Sequence, residues 1–276
     1  MKNTIKKNEL NEIRVSKKNN IFQHIVVLKT NRYKRFQNKE IFIEGIHNIK
    51  SAVKYGWKIK NWIYSDKGLS EWGKNFINQN KAELNYSLSE DLLNEISGRT
   101  DTSELMAIFE MKEMMVRLSE KPFVIICDRP SKKGNLGSII RSADAFRCDG
   151  IIVTGHSVDI YDPDVIGASM GSYFAVNTQK VDDNDSLLRL FSEWKKQYPD
   201  LRIIATTEEG EKSIRASQLN LPIVLLMGNE AEGLSKFFMQ NCDYTVKIPM
   251  GGEASSLNLA CATSIFLYEI FAQGNF

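Results

Sequence analysis

Apolar and polar positions divide the chain into two stretches with different rhythms. Beyond Pro122, short apolar runs recur at Phe123 to Cys127, Ile151 to Thr154, Ala175 to Gln179, Arg202 to Ala205, Ile223 to Met227 and Tyr244 to Ile248, separated by stretches of helical spacing. Runs of that length alternating with helices predict a largely parallel sheet covered on both faces. Upstream, the pattern predicts strands at Ile41 to Ile43, Ile59 to Tyr64, Ala82 to Tyr86 and Met106 to Phe109. Helices are expected at Glu44 to Tyr55, Ser70 to Asn80 and, behind the cap Ser89, Asp91 to Ile96. That is a small α/β domain of its own. The charged, methionine-containing stretch 111–121 reads as the linker between it and a second domain, 122–276.

Three places in the second domain suggest chemistry. The first is the stretch Ile248 to Glu269: a strand end, a loop with Gly251 and Gly252 where a ligand could approach the backbone, and a helix from Leu257 capped by Ser255 or Ser256. This helix is almost without charge to Tyr268, which predicts a core contact on one face and a subunit contact on another. The second is a helix starting near Gly137, with Asn135 just before it and Arg141 one turn in. Both would face a helix N-terminus whose free amides suit a phosphate, although an isolated Asn and Arg at this spacing are more often a cap and a surface charge. The third is Gly228 to Leu234, which leaves an apolar strand where open α/β sheets place ligands. Gly134 to Gly137 lacks the third glycine of the dinucleotide fingerprint, and no Gly-x4-Gly-Lys-Ser/Thr loop occurs, so nicotinamide and nucleoside-triphosphate chemistry is disfavoured.

Composition narrows the setting. With 42% hydrophobic and 25% charged residues, and apolar runs far short of the ~18 residues a membrane span needs, the chain reads as a soluble, cytoplasmic protein with no membrane partner. Its polar, lysine-rich start is not a secretory signal. Cys127, Cys148, Cys242 and Cys261 are scattered and read as buried, reduced thiols; with His24, His47 and His156 also unclustered, no metal site is expected. Net charge is +2, but residues 1–40 hold eleven Lys or Arg against Glu9, Glu12 and Glu40. A basic segment on a mildly acidic body points to a polyanionic partner. Residues 1–19 read as a flexible basic tail ahead of the small domain, 20–110. Its first helix, Asn20 to Arg35, carries Ile21, Phe22, Ile25 and Leu28 on one face and ends in Lys29, Arg32, Lys34 and Arg35, suited to phosphate contacts.

Motifs in the second domain resemble those of the SpoU/TrmH group of RNA ribose 2′-O-methyltransferases in the SPOUT superfamily. They are Asn135, Gly137, Arg141 to Ala145; then Gly228, Asn229, Glu230 to Leu234; then Ile248, Pro249, Met250, Gly252, Ser256, Leu257, Asn258 and Leu267 to Glu269. Phe42, Glu44 and Gly45 resemble the start of the family's substrate-binding domain, which is similar to an RNA-binding ribosomal protein, and so imply that residues 20–110 are an RNA-binding domain. The resemblance implies an α/β fold with a C-terminal trefoil knot, an exception to the rule of unknotted chains. It implies a homodimer, RNA as substrate (rRNA ahead of tRNA), and S-adenosylmethionine held by Met227, Gly228, Asn229, Ile248, Met250 and Leu257. The implied catalytic set is Arg141, Asn135, Glu230, Ser256 and Asn258. Arg141 either accepts the 2′-hydroxyl proton or, since a guanidinium does not deprotonate readily, binds a neighbouring phosphate and stabilises the alkoxide. Glu230 either meets substrate or holds knot and dimer together. Asp159 to Ser172 also matches, except that Gly167 stands where relatives commonly carry a basic residue. The rival reading is a non-catalytic RNA-binding or ribosome-assembly factor that keeps the fold.

Overall fold

The structure, a computed structural model, describes residues 11–98 and 101–273, and the chain forms two compact units, 1–112 and 113–276. The first runs β1 (Glu12–Val15), α1 (Asn20–Thr30), α2 (Arg32–Asn38), β2 (Glu40–Glu44), α3 (Ile46–Lys54), β3 (Ile59–Ser65), α4 (Glu71–Gln79), β4 (Leu84–Leu88), α5 (Glu90–Ser97) and β5 (Leu105–Glu110). Its five strands lie in the order β1-β4-β3-β5-β2. β1, β4 and β3 are parallel, and β5 is antiparallel to both its neighbours. Phe22, Ile25 and Leu28 of α1 and Leu92, Leu93 and Ile96 of α5 close one core with Phe42, Ile63, Leu88, Met106 and Ile108.

Two expectations for this unit need correction. The supposed flexible tail includes a strand: residues 12–15 pair in register with 85–88, and Val15 is buried. Four residues with two charges give too short a pattern to read locally, and the strand exists because the β4 edge is there to receive it. Residues 1–10 of that tail lie outside the described residues. The single helix expected over Asn20 to Arg35 is two helices, broken at Asn31. The Asn31 backbone N–H closes α1 on the Val27 carbonyl, while its side chain accepts from the Lys34 amide and starts α2.

The second unit runs β6 (Phe123–Asp128), α6 (Lys133–Ala145), β7 (Gly150–Thr154), α7 (Pro163–Ala168), β8 (Asn177–Val181), α8 (Asn184–Gln197), β9 (Arg202–Thr206), β10 (Lys212–Ser213), β11 (Ile223–Met227), α9 (Lys236–Gln240), β12 (Tyr244–Lys247) and α10 (Leu259–Ala272). Its seven strands, in the order β10-β12-β9-β11-β6-β7-β8, are all parallel. Val124, Ile126, Ile203, Ala205, Val224 and Leu226 meet Leu187, Phe191 and Trp194 of α8 on one face. The alternate positions Ile125, Cys127, Val153, Ile204 and Leu225 are also buried, so both faces are covered, as continuous apolar runs require. β8 begins two residues later than expected because Ala175 and Val176, apolar enough to read as strand, are drawn into the 3-10 turn before it, where both amides donate to the Ser172 carbonyl.

Candidate functional site

Loops leaving the carboxyl ends of β9, β11 and β12 line a cavity of about 590 Å³, within the range of small-ligand sites. Met227, Gly228, Asn229, Ile248, Met250 and Leu257 all lie on its wall, joined by Ala262 and Phe266 of α10. Sequence reading missed Thr206 to Glu209, which continue the wall after β9. The signal was available, because β9 is parallel to β11 and its carboxyl end opens on the same side.

Local chemistry shapes this wall. A Cβ on Gly228 would lie 2.5 Å from the Gly233 carbonyl carbon and the Leu234 nitrogen, so only glycine lets the chain turn back on itself here. Asn229 closes the turn: its backbone exchanges hydrogen bonds with Gly233 (2.9 and 3.0 Å), its side-chain oxygen accepts from Ala231 N at 2.8 Å, and its amide donates to the Arg129 carbonyl at 2.7 Å. Arg129, in the left-handed region at φ 52°, bridges buried Asp128 to Glu232. Thus Asn229 holds the loop, while its backbone belongs to the cavity wall. Cys127, beneath the loop, has its thiol pushed up to about 12 by burial, then by Glu230 and Asp128, and is inert.

The polar residues form a relay across three segments. Asn258 Nδ2 donates to Asn135 Oδ1 at 3.0 Å, and Asn135 Nδ2 donates to Glu230 Oε1 at 2.9 Å. Glu230 also accepts from Ser131 N (3.0 Å), Ser131 Oγ (2.8 Å) and Lys132 N (3.2 Å). Burial raises the Glu230 pKa, but the Ser131 amide, the Asn135 amide and the Ser131 hydroxyl outweigh it and hold the carboxyl below its ordinary value. Asn258 also caps α10, where its Oδ1 accepts from Ala260 N and Cys261 N.

This geometry corrects several local expectations. α6 starts at Lys133, so Asn135 lies inside its first turn, and Glu230 accepts from the Ser131 and Lys132 amides just before the helix, which places a carboxylate where a phosphate was expected. Gly137 is a packing glycine, since a Cβ there would lie 2.5 Å from the Ala168 Cβ of α7. α10 starts at Leu259 behind Asn258, not behind Ser255 or Ser256, which are exposed on the loop while lining the cavity. Arg141, six residues beyond Asn135, is turned about 120° away around the helix axis. Its exposed side chain is outside the cavity wall. In the first unit, Lys29 Nζ donates to the Ile96 and Ser97 carbonyls at the end of α5 (2.5 and 2.7 Å), and buried Arg35 donates to the Leu28 and Lys29 carbonyls at the end of α1. Both satisfy helix C-termini and so are unsuited to the phosphate contacts expected of them, whereas Arg32 is exposed and Lys34 half-buried. The four cysteines are free, but Cys261 is exposed and Cys242 half-buried, against the expectation of buried thiols. Among the described residues no group of three or more His, Cys, Asp or Glu is placed to hold a metal ion, and no helix is long and apolar enough to cross a membrane.

The second unit is thus a parallel α/β domain with a ligand-sized pocket at the carboxyl edge of its sheet, and the first a small mixed-sheet domain. Residues 122–268 match the SpoU rRNA Methylase family and residues 19–107 the SpoU L30e-like domain. The chain belongs to the SpoU rRNA methylase family. It is 34% identical over 265 residues to the 23S rRNA (uridine(2479)-2′-O)-methyltransferase of Streptomyces viridochromogenes, covering 94% of this chain and 92% of that one. It is 26% identical to the 23S rRNA (guanosine-2′-O-)-methyltransferase RlmB of Pseudomonas putida, over 84% of this chain and 96% of that one. Among solved structures, the SpoU methyltransferase AviRb from S. viridochromogenes in complex with AdoMet superposes with a TM-score of 0.88 at 34% identity, covering 93% and 98% of the two chains. An AdoMet-bound rRNA methyltransferase from Sinorhizobium meliloti gives 0.81 at 29% identity, covering 95% and 98%.

Proposed function

We propose that this protein is an S-adenosylmethionine-dependent ribose 2′-O-methyltransferase acting on RNA, rRNA ahead of tRNA, in the cytoplasm. The observation that carries the reading is the cavity at the carboxyl ends of β9, β11 and β12, where one apolar wall and one relay of amides meet. The residues fit the cofactor. Met227, Ile248, Met250, Leu257 and Phe266 offer apolar surface to a purine, the turn at Gly228 brings backbone polar groups close, and Glu208 and Glu209 line the wall with carboxylates that suit a cationic ligand. S-adenosylmethionine, when bound, supplies a methyl group already activated on a sulfonium. The protein has only to orient a ribose hydroxyl behind it and assist loss of the proton, and holding two groups in attack geometry supplies several kcal/mol. No metal is needed for that step.

Within this reading Asn258, Asn135 and Glu230 are positioning residues that fix the loop and α10 relative to α6, and Ser256, on the cavity wall, faces the donor. Arg141 acts on RNA, as phosphate binder and alkoxide stabiliser. Because it lies outside the cavity of its own chain, we infer that it serves the site of a partner subunit. The support is α10: Cys261, Ile265, Tyr268 and Ala272 form an exposed stripe at helical spacing, with Ile265, Tyr268 and Phe271 40%, 61% and 42% exposed. Phe146, which caps the end of α6, packs its ring against Tyr268 and Phe271, extending the patch toward Arg141's helix. A homodimer covers such a patch. The trefoil knot belongs to the same proposal, supported by the relay that ties the Glu230 loop and the start of α10 to one end of α6.

The test has two arms: calorimetry of the metal-free protein with S-adenosylmethionine and S-adenosylhomocysteine, and mapping of ribose methylation in RNA from cells with and without the protein. Binding together with a methyl group missing at a defined nucleotide in the cells without it is expected. A folded protein that binds neither ligand would favour the non-catalytic assembly factor.

A further inference from the structure

We propose that the exposed face of α2 is a stacking platform for an unpaired base of the substrate RNA. The proposal rests on the RNA-methyltransferase reading and names how its first domain grips the strand. Residues 32–38 read Arg-Tyr-Lys-Arg-Phe-Gln-Asn, with no carboxylate. Tyr33 is 71% exposed and Phe36 44% exposed. They stand three residues apart on the helix, where side chains are neighbours. The Arg32 guanidinium lies 5.8 Å from the Phe36 ring centroid, so a cation and two rings form one continuous surface.

An exposed aromatic by itself needs no explanation; this pair is distinguished by rigidity and charge. Asn31 caps the start of α2, Lys39 ends it at φ 52° with its N–H on the Arg35 carbonyl, and buried Arg35 pins it to the last carbonyls of α1. The Arg35 side chain is therefore spent in holding the helix, and that fixed helix presents the exposed side chains. A platform fixed before binding loses little entropy on contact. Base faces stack on aromatic rings and guanidinium planes, and unpaired loop nucleotides are how RNA is read in sequence-specific contacts. The Arg32 guanidinium over Phe36 and exposed Lys39 at the helix end make this face positive, which complements a phosphate backbone and favours a nucleic acid over an apolar protein segment.

The experiment compares wild type with Tyr33→Ala, Phe36→Ala, Tyr33→Phe and Arg32→Gln, using a twelve-nucleotide oligouridylate and a twelve-base-pair RNA duplex across a salt series. Tyr33→Ala and Phe36→Ala are each expected to weaken single-strand binding by about 5- to 150-fold, the range for one stacked base, at an unchanged log–log salt slope. Tyr33→Phe should restore binding, because the ring is retained. Arg32→Gln should lower the slope by about 0.7, the share of a single phosphate neutralised on a single strand. Duplex binding and S-adenosylhomocysteine affinity should stay within about two-fold in the alanine variants, and melting temperatures should stay at wild-type values because the rings are exposed. Single-strand affinity unchanged in both alanine variants would overturn the platform, as would an altered oligomeric mass with unaltered RNA affinity, which would make this face a contact between copies. Methyl transfer to rRNA by wild type, assayed in parallel, separates failure of the platform from failure of the enzyme reading.

Discussion

Replacing Glu230 decides whether this carboxylate is scaffold or catalyst. In Glu230→Ala, Ser131 N, Ser131 Oγ, Lys132 N and Asn135 Nδ2 lose their acceptor, and α6 loses an anion at its N-terminus. Loss of an anion beside a helix N-terminus costs about 0.3–1 kcal/mol, and a charged acceptor shared by a partly buried amide adds a comparable amount. Water reaches this half-buried site and recovers part of it, so about 1–2 kcal/mol is expected. For a domain of this size that lowers the melting temperature by roughly 2–8 °C. The same loop lines the cavity, so S-adenosylhomocysteine affinity should fall together with stability. Sign and pH window follow from the hydrogen bonds: the folded carboxyl sits below its ordinary value of 4.5, so its contribution is present above about pH 4.5 and is lost as pH falls through the folded value. The stability gap between wild type and Glu230→Gln should therefore be constant near neutrality and narrow only in acid. Differential scanning fluorimetry across pH, with calorimetry and single-turnover methyl transfer at pH 7, reads all three quantities. If Glu230→Ala melted and bound cofactor like wild type but lost methyl transfer, the scaffold argument would be refuted and Glu230 would belong to the chemistry.

Arg141→Ala should abolish methyl transfer while S-adenosylhomocysteine affinity stays within a few-fold, since the side chain lies off the cavity wall; near-full activity would remove Arg141 from the site, and Arg141→Lys separates charge from the planar fork. Ile265→Asp and Tyr268→Asp, on the exposed stripe of α10, should give folded, inactive monomers by light scattering, whereas a wild type that is monomeric at low micromolar concentration and still methylates would sink the dimer. Ser264→Arg instead breaks the 2.8 Å Ser142–Ser264 hydrogen bond within one chain, so its unfolding would not report on the dimer. Deleting residues 1–10, which contain Lys2, Lys6 and Lys7, should flatten the salt dependence of RNA binding and spare cofactor binding; an unchanged slope would make the segment a bystander. Deletion through Asn19 is the wrong test, because it also removes β1 and the cap of α1.

What the sequence alone determined here is what depends on near neighbours. Ile223 to Met227 reads as a buried strand because five consecutive apolar residues admit little else between polar turns, and the parallel sheet follows from such runs alternating with helices. The six residues assigned to the cavity came from the family resemblance, and each ends a strand or lies within three residues of a strand end or a helix start. Tertiary structure decided which partner a polar side chain finds. Glu230 meets Ser131 across 99 residues, and Asn258 meets Asn135 across 123, so no local pattern could tell a scaffold carboxylate from a substrate contact. The same holds for Lys29 and Arg35: their spacing on an amphipathic helix suggested phosphate, but the orphan carbonyls ending α5 and α1 lay nearer. It holds again for β1, whose four residues form a strand only because another strand leaves an edge to pair with. Hydrogen bonds between distant segments are chosen by what folding brings together, and that information is carried by the whole chain rather than by any stretch of it.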